Sequence, residues 1–139
     1  MITVSATANP GFNFVRWTEG GVEVSASASY AFAVAGNRSL TAVFEAIPYT
    51  VTTAASPVAG GSTAGGGIFH WGDPVTVTAT ANPGYAFVNW TEAGVPVSAT
   101  ASYSFPAGAD RSLVANFAAI PYTITTGASP VSGGSTAGG

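Results

Sequence analysis

Apolar and hydroxyl residues alternate most regularly from Val75 to Ala81, with Val75, Val77, Ala79 and Ala81 on one face and threonines between them. A period of two over seven residues predicts a half-buried strand. Tyr49 to Thr53 repeats the pattern in shorter form, and Ser56-Pro57 followed by Gly60-Gly61 predicts a turn after it. Gly65-Gly66-Gly67 reads as a flexible loop into the short apolar run Ile68-Phe69-His70-Trp71, and Gly72-Asp73-Pro74 turns again. Asn82-Pro83-Gly84-Tyr85 predicts a type II turn, because proline presets the second position and glycine accepts positive φ at the third. Tyr85 to Thr91 is a strand with Phe87 and Trp90 as its bulky residues. Glu92-Ala93-Gly94 closes a hairpin, with the glycine at the left-handed position. Val95 to Ala99 and Ala101 to Phe105 continue the sheet. After a turn at Ala107 to Arg111, Ser112 to Phe117 forms the last strand, with Leu113, Ala115 and Phe117 on one face. No window carries a helical stripe of useful length. The expected fold is mainly β, built of small antiparallel sheets.

The pattern occurs almost twice. Trp17-Thr18-Glu19 returns as Trp90-Thr91-Glu92, Asn9-Pro10-Gly11-Phe12 as Asn82-Pro83-Gly84-Tyr85, and Ala46-Ile47-Pro48-Tyr49 as Ala119-Ile120-Pro121-Tyr122, always 73 residues on. Aligning residues 1–66 with 74–139 gives 45 identities in 66 positions. The chain is therefore a tandem array of β-rich repeats of about 73 residues. Divided at the Ala-Ile-Pro connector, it contains a partial repeat at 1–47 lacking its first strand. A complete repeat follows at 48–120, and 121–139 is the first strand and turn of a further one. Trp90, Phe87, Tyr85, Phe105, Leu113 and Phe117 are the expected core and structural residues of the complete repeat, with Tyr103 beside them and Val75 and Val77 beneath. Trp17 and Phe14 are their counterparts in the partial one.

Composition narrows the function. Only 6% of residues are charged, against about a quarter in an ordinary soluble domain. The net charge of −3 arises from six acids and three arginines, with no lysine. Such a chain has no cationic row to neutralise phosphates, so nucleic acid is not an expected partner. A weakly charged, threonine-rich β surface has little charge to oppose self-association, the alternative being that its hydroxyls alone keep the unit soluble. There is no cysteine, hence no disulfide or thiolate metal site. Apolar runs fall far short of the roughly twenty residues of a membrane span, so no membrane insertion is expected. The first residues carry neither a basic nor an apolar signal-peptide region, so either export information lies outside this stretch or the chain stays inside; the repeat makes the first the expectation.

The opening Tyr-Thr-Val-Thr, the Ser-Pro and Gly-Gly-Ser turns, Gly-Asp-Pro-Val-Thr-Val-Thr-Ala, Asn-Pro-Gly-Tyr-Ala-Phe-Val-Asn-Trp-Thr-Glu and Asp-Arg-Ser-Leu-Val-Ala-Asn-Phe together resemble the divergent internalin B-repeat family. The resemblance spans Tyr49–Phe117 and both partial units. It implies a bacterial stalk, spacer or adhesion module, extracellular or on the cell surface, without enzymatic activity or cofactor. It also implies a β-grasp-like arrangement, although no segment of the complete repeat offers the helix of a grasp fold.

No catalytic or metal-binding constellation is expected. His70 stands alone among histidines, and the acids are scattered without a calcium-loop spacing. Glu23 and Glu45 are replaced by Pro96 and Ala118 in the second copy, whereas Glu19/Glu92 and Arg38/Arg111 recur. The recurrence predicts that these glutamates and arginines pair. Trp71 is expected as a lid over the core; exposed, it would instead serve the alternative function, adhesion to a glycan or host surface ligand. The sequons at Asn37 and Asn89 fall at different repeat positions and read as incidental. The leading expectation is a fibre or stalk segment whose partners are other copies of itself or adjacent repeats. In its sharper form, residues 122–139 of one copy complete residues 1–47 of the next, with Tyr122, Ile124 and Pro130 as the assembly residues.

Overall fold

The computed structural model describes all 139 residues. Thirteen strands run in chain order: β1 (Ile2–Ser5), β2 (Phe12–Glu19), β3 (Val22–Ser25), β4 (Ser29–Phe32), β5 (Thr41–Ala46), β6 (Tyr49–Ser56), β7 (Gly61–Ala64), β8 (Gly67–Phe69), β9 (Pro74–Ala81), β10 (Tyr85–Glu92), β11 (Val95–Ser98), β12 (Ser102–Pro106) and β13 (Arg111–Ala119). The only helical residues are two single turns of 3-10 helix, Val58–Gly60 and Val131–Gly133.

The second unit holds two layers. One is a five-stranded sheet in the order β11-β10-β13-β6-β8, the other a three-stranded sheet in the order β12-β9-β7. Their facing side chains make the core: Val51 from β6, Trp90 from β10, Leu113, Ala115 and Phe117 from β13, and Val75 and Val77 from β9. Phe69, Tyr85, Phe87, Tyr103 and Phe105 pack around this cluster half-buried. The alternation in β9 does what its period demands, since Val75 and Val77 are fully buried and the threonines between them face solvent.

Two features depart from a purely antiparallel meander. β6 and β13 pair in parallel, Val51 opposite Arg111 through Ser56 opposite Asn116, so the first and last strands of the unit lie side by side at the sheet centre. No α-helix crosses the sheet; the second sheet occupies that face. The turns follow residue chemistry. Tyr85 N–H donates to the Asn82 carbonyl at 3.0 Å, and Gly84 has φ 85°. In the β10–β11 hairpin both turn residues are left-handed, Ala93 at φ 50° and Gly94 at φ 80°, where the first unit has Gly20 and Gly21.

The first unit repeats half of this plan. β3-β2-β5 form one sheet and β1-β4 the other. The Trp17 indole donates to the Ala28 carbonyl as that of Trp90 does to Ala101, at 3.3 and 3.0 Å. The first unit has no folded counterpart of β6 to β8.

Candidate assembly site

The two units share their sequence and differ at their edges. β13 begins at Arg111, but the matching β5 begins at Thr41, three residues after the equivalent Arg38. β9 runs to Ala81, while β1 stops at Ser5, three residues before the equivalent Ala8. The missing pieces are those that in the complete unit pair with β6 and β7. Strand character is therefore lost where a partner strand would supply hydrogen bonds.

Burial falls with it. Phe117 is 6% exposed and Phe44, its counterpart, 40%; Leu113 is buried and Leu40 only half-buried. In the complete unit the glycine pair that ends the 3-10 turn covers Phe117: a Cβ on Gly60 or Gly61 would overlap its side chain. Asn82 fixes this turn, its N–H donating to the Gly60 carbonyl at 2.9 Å and its side-chain amide to the Ala59 carbonyl at 3.0 Å. In the first unit the same place is a shallow apolar hollow of about 190 Å³, lined by Thr7, Asn9, Phe12 and Phe44. Thr80, Asn82, Tyr85 and Phe117 are the matching residues of the second unit.

Residues 122–139 pair with no strand, yet they hold the shape of 49–66. The Pro130 and Gly134 backbones (φ −68°, ψ 155°; φ 166°, ψ −171°) match Pro57 and Gly61 (φ −67°, ψ 157°; φ 171°, ψ −168°). A threonine pair bridges the two arms of the turn in both places, Thr53 with Thr63 and Thr126 with Thr136. Gly66 stands against the Val51 carbonyl as Gly139 stands against that of Ile124. Of the 18 positions, 15 are identical. The expected assembly residues lie open on this segment: Tyr122 is 72% and Ile124 68% exposed, and Pro130 faces solvent. Ile124 corresponds to Val51, which is 1% exposed.

The remaining predicted residues fall as follows. Trp90, Leu113 and Phe117 are buried, Tyr85, Phe87 and Phe105 are half-buried, and Trp17 is 8% exposed. Phe14 packs edge-on against Phe44, with ring centroids 5.9 Å apart, and tilted against Trp17 at 6.1 Å. Sequence reasoning missed Val51, Ala107 and the two glycines over Phe117; the alternation from Tyr49 to Thr53 was the available signal for Val51. The predicted ion pairs form, Arg38 to Glu19 at 2.9 Å and Arg111 to Glu92 at 3.0 Å. Each guanidinium also stacks on a phenylalanine, Phe32 at 4.5 Å and Phe105 at 4.3 Å, and donates to a tyrosine hydroxyl, Tyr30 or Tyr103. The arginine so ties one sheet to the other. Hydrogen bonding to Arg111 holds the Glu92 carboxyl below its ordinary range.

Trp71 is no lid over the core: it is 52% exposed and stands between Gly11 of the first unit and Gly108 of the second. His70 N–H donates to the Asp73 carboxylate at 2.8 Å, which shapes a turn. Asn89, at one sequon, accepts from Asn116 across the sheet at 2.9 Å. No three His, Asp or Glu side chains gather as a metal site would require, and no helix is long and apolar enough to cross a membrane.

Comparison with curated proteins and with solved structures finds no match. A family model, the divergent InlB B-repeat domain, matches residues 1–48 and again 49–121. The two matches meet at the connector between β5 and β6, where the structure passes from one unit to the next. With nearly its whole length covered by two successive matches, the chain belongs to the divergent InlB B-repeat domain family.

Proposed function

We propose that this chain is a structural segment of a bacterial surface stalk or extracellular fibre, and that copies join head to tail by strand complementation. Residues Tyr122–Gly139 of one copy enter the open edge of residues 1–48 of the next. The reading rests on one observation: a segment already holding the geometry of the β6–β7 corner, which passes from one sheet to the other, coexists with a unit whose β6–β7 seat is open. Transferring the register of the complete unit places Ile124 opposite Arg38 and Ser129 opposite Val43 in a parallel pair. On the other edge Gly134 lies opposite Ala8 and Ala137 opposite Ser5. Strand addition supplies main-chain hydrogen bonds, and the Phe44 hollow supplies specificity. A preformed turn lowers the ordering cost of association. The contact is heterologous, so it propagates into a filament unless the rotation closes a ring. Low charge removes the repulsion that would oppose it.

Negative-stain imaging and sedimentation of the full chain test this reading against a chain ending at Pro121. Filaments or rings are expected from the first and monomers from the second. Assemblies that survive the deletion, or a full chain that stays monomeric at high concentration, refute strand complementation.

A further inference from the structure

The two Asn-Pro-Gly turns have one backbone and two surroundings. Gly11 has φ 86° and Gly84 φ 85°. Each carbonyl accepts a 2.8 Å hydrogen bond from the connector isoleucine of its own unit, Ile47 or Ile120. Yet Gly11 is buried, whereas Gly84 is half-buried with nothing within 4 Å of the position a Cβ would take. Trp71, from the following unit, makes the difference: a Cβ on Gly11 would overlap the Trp71 Cβ and Cγ. The other end of the same indole lies over Gly108, 3.3 Å from the place of its Cβ.

Trp71 is anchored firmly in its own unit. Gly72 N–H donates to the Ala107 carbonyl and Ala107 N–H to the Asp73 carbonyl, both at 2.9 Å. The indole therefore projects from a fixed turn of the second unit and bears on the glycine of a fixed turn of the first. Between the units the chain itself offers only Ile47 and Pro48.

We propose that Trp71 is the joint of the array, a wedge that locks each unit at one angle to the unit before it. A short connector limits relative motion without fixing it, and linked domains move freely unless a contact holds them. An indole supplies large apolar contact with only two side-chain torsions to order. The seat reads the preceding unit at a single position, because only glycine combines positive φ with room for the indole. The array is then a rod of set pitch rather than loosely strung beads. The joint acts within one chain and does not depend on head-to-tail assembly.

Paired spin labels measure this. The chain has no cysteine, so Val22→Cys and Val95→Cys, at equivalent exposed hairpin tips of the two units, give unique sites. Labelled chains are diluted in unlabelled protein so that only intramolecular distances are read by double electron–electron resonance. The parent gives one narrow distance distribution. Gly11→Ala and Trp71→Ala each broaden it about twofold, as expected for units released to move independently. Gly84→Ala introduces the same left-handed strain with no indole above it and keeps the parent width. Equal widths in the parent and Trp71→Ala overturn the proposal, as does a Gly84→Ala chain that broadens as much as Gly11→Ala. Trp71→Ala alters no residue of the first unit, so the test stands even where Gly11→Ala destabilises that unit.

Discussion

Ile124→Ala separates assembly from folding. In the free chain Ile124 is 68% exposed and touches no core, so truncating it leaves the fold of both units intact. In the complementation complex it takes the position of Val51, which is 1% exposed in the core cluster that also holds Leu113 and the β9 valines. Truncating a buried isoleucine to alanine costs about 2–4 kcal/mol once the cavity is included. At 1.4 kcal/mol per decade, the head-to-tail dissociation constant rises by roughly 30- to 700-fold. Sedimentation velocity over a concentration series reads this shift, and thermal unfolding of the dilute monomer should not change. Val131→Ala is the control, since Val131 and its counterpart Val58 are both 84% exposed and neither gains burial. An Ile124→Ala chain that assembles like the parent, or a Val131→Ala chain equally impaired, refutes the transferred register.

Other outcomes follow from the same geometry. Gly61→Ala drives a Cβ into the Thr80 carbonyl and the Phe117 ring and should lower stability by about 1–3 kcal/mol in chemical denaturation. Gly134→Ala meets nothing within 4 Å in the free chain, so it should spare the monomer and block assembly in sizing chromatography. Ala93→Gly relieves a left-handed alanine that the first unit avoids with Gly20, and should stabilise the second unit by about 0.5–1 kcal/mol in thermal unfolding. Glu92→Gln removes an ion pair worth about 0.5–1 kcal/mol near neutral pH. Because folding depresses the Glu92 pKa from its ordinary value of 4.5, that stability is present above about 4.5 and lost as pH falls through the folded value. Melting curves of parent and Glu92→Gln should thus differ near neutrality and converge in acid.

Much of the site could be read before any fold was known, because the chain contains its own comparison. Recurrence at 73 residues separated Glu19/Glu92 and Arg38/Arg111, which pair, from Glu23 and Glu45, which vary. The match of 122–139 to 49–66 marked the segment that we propose complements the open edge. The conformation of that segment was not legible. A turn such as Ser129 to Gly134 is set by local backbone preference, but whether it stays folded without its sheet is a balance of few contacts. Trp71 was misplaced for a related reason: its neighbours Gly11 and Gly108 lie 60 and 37 residues away, and neither carries a side chain to advertise the contact.

By itself the sequence determined the repeat, which is read by comparing the chain with itself at an offset of 73, and the strand faces and hairpin turns, which depend on residues within about ten positions of one another. Alternation says which side of a strand is apolar, but not which strand lies beside it or in which direction. The parallel β6–β13 pair, the division into two facing sheets and the wedge of Trp71 against Gly11 were decided only by packing between distant segments. The open edge of the first unit belongs to the same class. Phe44 and Phe117 occupy equivalent places in a shared pattern, and only the presence of β6, Gly60 and Gly61 buries one and leaves the other exposed.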